Sequence, residues 1–298
     1  MAVKDAWRRT RYGAGMLTLS GIAVDAVSVG GLETCIQLPG MDVALDLGVC
    51  PPRAVARSTV LFSHSHIDHM GAVAAHCATR SLMGMKPPTY AVPAERLEAF
   101  EDLLAVWRRL DGSELRCRVI PAAPGTEVDL GKGRVARAAR ALHRVPCLTW
   151  SIWSSKQRLA AEWVGRPGPA IAAARKAGQP ILETVETCEV AFTGDTLIEA
   201  VEREATLRTA RLLLMEVTFL DARVSVAAAR DKGHIHLDEV IERAELFENE
   251  HIVFTHLSAR YGHAEAEAIL EARLPVGLRE RVTLLPPRRL RPTLGPEG

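Results

Sequence analysis

The chain has 298 residues, with 37 Lys and Arg against 36 Asp and Glu, a formal charge of +1, 48% hydrophobic and 24% charged residues. A disordered chain is excluded, because it would be poorer in apolar residues and further from neutrality. Bulk non-specific nucleic-acid binding is excluded as well, although a local basic patch is not. No apolar run reaches the ~18–20 residues that a membrane span needs. The first fifteen residues lack the apolar stretch of a secretory signal. Six scattered cysteines without a C-x-x-C pair read as reduced thiols, and the expected compartment is the cytoplasm.

In chain order, Leu32 to Leu38 and Val43 to Leu47 read as strands around a Pro39-Gly40 turn, and Thr59 to Ser63 as a short buried strand. Ala94 to Leu110 has helical spacing of Leu97, Phe100, Leu103, Leu104 and Trp107, and stops before Asp111-Gly112. Further strands are expected at 115–120, 134–139, 148–153, 189–192, 212–217, 251–255 and 282–285. Helices are expected at 237–247 and 264–274. Ser154 to Leu182 is rich in Arg, Lys, Ala, Gly and Pro and reads as an insertion that breaks the strand pattern and carries a short helix near Pro169 to Lys176. Residues 286–298 hold four prolines and two glycines and read as a disordered tail, leaving 1–285 as one domain. Strands followed by helices in each half suit a layered α/β or α+β sandwich better than a strict βαβ repeat. Trp107, Trp150 and Trp153 read as core residues, and His76, His251 and His263 as structural histidines.

The strongest chemical signal is Ser63-His64-Ser65-His66-Ile67-Asp68-His69, delivered by an apolar strand. Four metal-type side chains within six positions are hard to reach by chance. His64 and His66 can share one metal, while Asp68 and His69 can serve a second. Two adjacent metals can clamp a phosphate from both sides. Such a pair needs further ligands, and three candidates stand where a strand ends: His143, Asp195 in Phe192-Thr193-Gly194-Asp195-Thr196, and His256 after Ile252 to Thr255. Open α/β architectures place their sites at strand ends. Asp46, also after a strand, could orient a ligand histidine or simply make a turn.

This pattern of H-x-H-x-D-H, a lone His, G-D and a last His resembles the metallo-β-lactamase superfamily. Phe192 to Thr196, the Thr255-His256-Leu257-Ser258-Ala259-Arg260-Tyr261 ending, and Met215-Glu216-Val217-Thr218 followed by Gly233-His234-Ile235-His236 resemble the tRNase Z (ribonuclease Z) family within it. Gly30 to Cys35, Met85 to Pro88 and Glu189 to Ala191 are similar to its plant-type short form. The resemblance spans about Val27 to Leu285. It departs from the family where Cys147-Leu148-Thr149-Trp150 replaces a Gly-Tyr, and where the tRNA-gripping arm is short.

The resemblance implies an α+β fold, a four-layer αββα sandwich, with a binuclear zinc site for which manganese or iron are alternatives. His64, His66 and His143 would bind one ion, Asp68, His69 and His256 the other, and Asp195 would bridge. Catalytic roles fall to Asp68, to His234 as general acid, and to Glu216 as its charged partner. His236 would support His234 or cap the next helix. Ser258, Arg260 and Tyr261 are candidate phosphate contacts, with packing the alternative. Lys156, Arg158, Arg166, Arg175 and Lys176 are candidate RNA contacts of the reduced arm. The implied activity is removal of 3′ trailers from tRNA precursors by a homodimer. The alternatives are a hydrolase of a small phosphodiester or thioester on the same fold, and a metal-binding protein without turnover. The last is disfavoured because all seven ligands and the Glu216/His234 pair are present.

Overall fold

The computed structural model describes residues 16–285; the tail reading for 286–298 lies outside them. Two sheets face each other. One contains β1 (Leu17–Leu19), β2 (Ile22–Gly30), β3 (Glu33–Leu38), β4 (Val43–Leu45), β5 (Thr59–Leu61), β6 (Thr89–Pro93) and β7 (Arg118–Ala122) in sequential order. The second is built from β8 (Glu127–Gly131), β9 (Arg134–Arg140), β10 (Leu148–Leu159), β11 (Leu182–Phe192), β12 (Leu212–Glu216), β13 (His251–Thr255) and, at its edge, β15 (Val282–Leu284). The short β14 (Leu257–Ser258) leaves the second sheet's strands and pairs with β2.

Alternation along the strands creates three cores, as the period of two requires. Leu45, Leu61, Leu212 and Leu214 point between the sheets, together with Trp150 and Phe192. Ala44, Val60 and Phe62 point outward and are covered by Met70, Val73, Phe100 and Leu104 from helices. Leu213, Met215 and Phe254 point the other way and meet Val201, Val240 and Leu270. Helices therefore cover both outer faces, and the layering is αββα. The sandwich is also tied by a polar contact, since the buried Trp150 Nε1 donates to the Phe62 carbonyl at 3.0 Å. Leaving such a buried N–H unpaired would cost free energy.

Most expected strands are present within a residue or two. Five strands have no counterpart among those expected from sequence: β1, β2, β6, β8 and the two-residue β14. The helix Leu97–Asp111 is present, but it buries Phe100 and Leu104 while Trp107 stays 43% exposed, so Trp107 is not core. Residues 154–182 do not break the strand pattern. β10 and β11 continue outward and stay paired to Leu159↔Leu182, forming a two-stranded ribbon whose end carries the helix Gly168–Lys176. The sequence signature of β10 ends at Trp153 because the outer half of the strand is exposed and polar; alternation against a core marks a strand only where a core exists.

Candidate metal centre

The site forms where strands of both sheets end on one edge. β4 and β5 are parallel neighbours, as are β11, β12 and β13, so their C-terminal ends open side by side. Asp46 follows β4, His64 to His69 follow β5, Asp195 follows β11, Glu216 ends β12 and His256 follows β13. His143 comes from the β9–β10 connection. Asp46 and His256 both adopt left-handed backbone conformations (φ 57° each). Such strain outside glycine persists only where the surroundings enforce it.

Seven side chains converge. His64 Nε2 lies 2.9 Å from His66 Nδ1, and His143 Nε2 lies 3.4 Å from the same atom. His69 Nε2 is 3.3 Å from His256 Nε2 and 3.5 Å from Asp68 Oδ2. Asp195 Oδ2 stands between the groups, at 3.7 Å from His64, 3.3 Å from His69 and 3.4 Å from His256. One group of possible ligands is therefore His64, His66, His143 and Asp195, and another is Asp68, His69 and His256.

The far nitrogens decide which atoms face inward. His69 Nδ1 donates to Asp46 Oδ2 at 2.7 Å. The Ser63 hydroxyl donates to the same carboxylate at 2.7 Å, so it accepts from His64 Nδ1 at 2.9 Å. On the other side Thr218 Oγ1 donates to Glu216 Oε2 at 2.7 Å and accepts from His256 Nδ1 at 2.9 Å. His143 Nδ1 donates to the Gly233 carbonyl at 2.9 Å. In their neutral form these four imidazoles carry the proton on the outer nitrogen and aim a lone pair inward. Lone pairs facing each other at about 3 Å repel unless a cation lies between them, and outer hydrogen bonds of this kind are the usual support of ligand histidines. The donor set fits divalent ions.

Two buried carboxylates organise these supports. Asp46 holds His69 directly and His64 through Ser63. Glu216 holds His256 through Thr218, and its Oε1 accepts from His234 Nδ1 at 3.0 Å and from the Thr196 and Ile235 amides at 3.2 Å. His234 stacks on His256, with ring centroids 5.1 Å apart. Burial lowers the His234 pKa, but the charge of Glu216 and then of Asp195 outweighs it and raises the value above that of free histidine. Burial also lowers His69, yet Asp195 and Asp46 hold it well above the ordinary value. His64, His66 and His143 are lowered, chiefly by burial, and stay neutral. Asp195 is held well below the carboxylate range despite burial, because His256 and His69 face it.

Several supporting residues escaped the sequence reading. Ser63 directly precedes His64 and Thr218 lies two positions after Glu216, but a hydroxyl in a motif does not by itself announce a supporting role. Gly31, at φ 74°, donates its amide to Asp68 Oδ2 at 2.9 Å. A Cβ on Gly30 would lie 2.9 Å from the His256 carbonyl oxygen, so the β2–β3 turn must be bare to approach the site. His236 caps the helix Leu237–Glu242 through a bond from the Asp238 amide rather than supporting His234.

Of the candidate phosphate contacts, Tyr261 is buried and its hydroxyl accepts from the Leu220 amide at 2.9 Å, which fixes the final loop. Arg260 lies at the surface with its guanidinium 5.9 Å from the Phe219 ring, and Ser258 belongs to β14. The five arm residues are all exposed and stand apart from the cluster. Arg158 pairs with Glu183 at 2.8 Å, and Arg166 lies over the Trp163 ring at 4.9 Å.

A four-layer sandwich with this cluster of seven candidate ligands at its edge is the arrangement of the metal-dependent hydrolases of the β-lactamase superfamily. Residues 39–257 match the family model described as a β-lactamase superfamily domain. Over 271 residues the chain is 41% identical to tRNase Z TRZ1 of Arabidopsis thaliana, covering 90% of this chain and 96% of that one. It is 34% identical to the chloroplastic tRNase Z TRZ2 of the same plant, over 90% of this chain and 77% of that one. The chain belongs to the tRNase Z family of this superfamily. Its fold is shared with the human short-form tRNase Z (TM-score 0.57, 18% identity, 89% of this chain and 96% of that one). It is shared too with the metallo-β-lactamase fold protein YhfI of Bacillus subtilis (TM-score 0.61, 14% identity, 89% and 96%). Among the described residues no helix is long and apolar enough to cross a membrane.

Proposed function

We propose that the protein is an endoribonuclease that removes 3′ trailers from tRNA precursors, working with two zinc ions held by His64, His66, His143, Asp68, His69, His256 and a shared Asp195. The observation that carries the proposal is the Glu216–His234 pair set beside the seven ligands, in a chain 41% identical to a protein named tRNase Z. Bound there, the ions would lower the pKa of water toward ~7 and offset the charge of a phosphodiester.

The chain's own residues supply the rest. Neutral His64, His66 and His143 offer lone pairs rather than protons. Asp68 is held below the usual carboxylate range despite its burial by the facing His256 and His69, and the Gly31 amide donates to it. Glu216 occupies His234 Nδ1 and favours the protonated ring. That leaves Nε2–H to deliver a proton to the departing 3′ oxygen. The arm residues Lys156, Arg158, Arg166, Arg175 and Lys176 grip the tRNA body away from the cleft, and Arg260 meets a phosphate at the rim. Zinc suits an imidazole-rich donor set, with manganese or iron as substitutes. The proposal includes a homodimer and a cytoplasmic location.

The test compares a 3′-extended tRNA precursor with a chromogenic phosphodiester. Wild-type protein should cleave the precursor and release its 3′ trailer. His234→Ala should retain its metal, slow precursor cleavage by about 10²–10⁴, and slow nitrophenolate release much less, because that leaving group needs no proton. Hydrolysis of the small substrate without precursor cleavage would move the protein to the small-phosphodiester class. Equal slowing of both substrates would remove His234 from the acid role.

A further inference from the structure

Beside the metal centre, on the side of His143, lies a second opening of about 310 Å³. Its wall is the connection that carries His143, and it includes Arg140, Arg144, Pro146 and, from the helical turn after β6, Glu95. Arg140 ends β9 and Arg144 directly follows His143. Both guanidinium groups are exposed, and among the described residues neither makes an ion pair or a hydrogen bond. The contrast with other arginines is sharp: Arg137 on the same strand is held between Glu127 and Glu186, and Arg230 between Glu199 and Glu239. Glu95 is the sole acidic residue lining the opening, which leaves a net positive charge.

The position of Arg144 is set from two sides. A Cβ added to Gly233 would lie 2.7 Å from His143 Nδ1 and 3.3 Å from Arg144 Cγ. The stem of Arg144 therefore packs against the loop that presents His234, one residue after Gly233. Its charged end extends from the seam between a candidate ligand and the candidate acid. The volume is at the low end of the ~300–1,000 Å³ typical of small-ligand sites, which suits one nucleotide unit and not a folded RNA element. Guanidinium groups are matched in shape to phosphate oxygens and are less strongly hydrated than ammonium groups.

We infer that Arg140 and Arg144 form a phosphate subsite for the single-stranded nucleotide flanking the scissile bond, separate from both the reacting phosphate and the arm. The inference rests on the endoribonuclease reading. It predicts that this RNA segment is held in the cleft by charge, and that the small phosphodiester, which has no flanking phosphate, does not use the opening.

The experiment uses full-length, metal-loaded wild type, the Arg140→Ala/Arg144→Ala double variant and Glu95→Gln. Metal content, kcat/KM for the chromogenic phosphodiester, and KM for the precursor across a salt series are measured on each. The double variant should keep its metal and stay within about twofold of wild type on the small substrate. Its precursor KM should rise roughly tenfold or more, in line with two lost charge-assisted contacts. The slope of log affinity against log salt should fall by roughly 0.7 for each contact to a single strand. Glu95→Gln should lower precursor KM, because it removes the one negative charge from the opening. An unchanged precursor KM and salt slope would overturn the subsite, as would a parallel loss on both substrates. A wild type that leaves the precursor uncut would instead sink the parent proposal, and the subsite with it.

Discussion

Gly48 provides the most stringent test of how the metal motif is held. It follows β4, and its segment is bolted to the motif by backbone bonds: Leu47 donates to the His69 carbonyl at 2.6 Å, and the Ala72 amide donates to Leu47 at 2.9 Å. A Cβ on Gly48 would sit 1.8 Å from the Asp68 carbonyl oxygen, 2.1 Å from its carbon and 2.8 Å from the His69 amide nitrogen. All three are backbone atoms, so no side chain can swing aside. Ordinary contact begins at 3.4 Å, which requires roughly 1.6 Å of movement in the turn that carries Asp68 and His69. Misplacing a catalytic group by about 1 Å costs on the order of 10²-fold. Gly48→Ala should therefore lower kcat/KM on the chromogenic phosphodiester by about 10² or more and weaken metal retention. Overpacking of this kind costs about 1–3 kcal/mol, and each kcal/mol is worth about 2–4 °C in Tm for a domain of this size. Gly40→Ala is the control, since a Cβ there meets nothing within 4 Å. If Gly48→Ala keeps full metal and activity within about threefold, the turn is not held by this contact.

Asp195→Ala should lose at least one ion per chain by elemental analysis, and a variant that retains both would show that Asp195 does not bridge. Alanine at all five basic arm positions should raise precursor KM and lower the salt slope by roughly 0.7 to 0.9 per lost phosphate contact, with small-substrate turnover unchanged; an unchanged KM would make the arm only a loop. His76 is buried against Tyr90 and the Ala54 carbonyl, and burial pushes its pKa down from 6.5 to about 4. The folded state thus binds fewer protons than the unfolded chain. Its contribution is intact above pH 6.5 and is lost as pH falls toward 4, by about 3 kcal/mol in all. Urea unfolding between pH 7 and 4 should show a flatter loss of stability for His76→Gln than for wild type, and parallel curves would contradict this.

The candidate ligands are legible in the sequence because chemistry at strand ends leaves a local signature: an apolar run, then a His or Asp. His64 to His69 carry that signature four times over. Their supports were less legible because they join distant segments. Ser63 and Asp46 meet from adjacent strands, and Thr218 reaches His256 across thirty-eight positions. Nothing in the spacing of Gly30 and Gly31 announces that their turn lies against Asp68 and His256. Of the strands missed, β2 is mostly buried and shows no one-sided alternation, whereas β8 does alternate, with Val128 and Leu130 inward, but over only five residues closed by Gly131. In the helix Leu97–Asp111 the apolar stripe is wider than the face the sheet covers, which is why Trp107 was misassigned.

The ribbon made by β10 and β11 has a consequence for dimensions. Its pairing runs from Trp150↔Phe192 to Leu159↔Leu182, and Phe192 is three residues from Asp195. At about 3.4 Å per residue the paired length is roughly 30 Å, with one bulge at Ile152/Trp153. The distance between the candidate metal site and the ribbon's tip is then set by the number of residue pairs. Because side chains alternate between faces, deleting one pair would shorten the ribbon by about 3.4 Å and also turn the tip helix to the opposite side. Deleting two pairs would restore the facing and shorten it by about 7 Å. The ribbon is thus a gauge graduated in steps of two pairs, and any RNA measured against it is measured in the same increments.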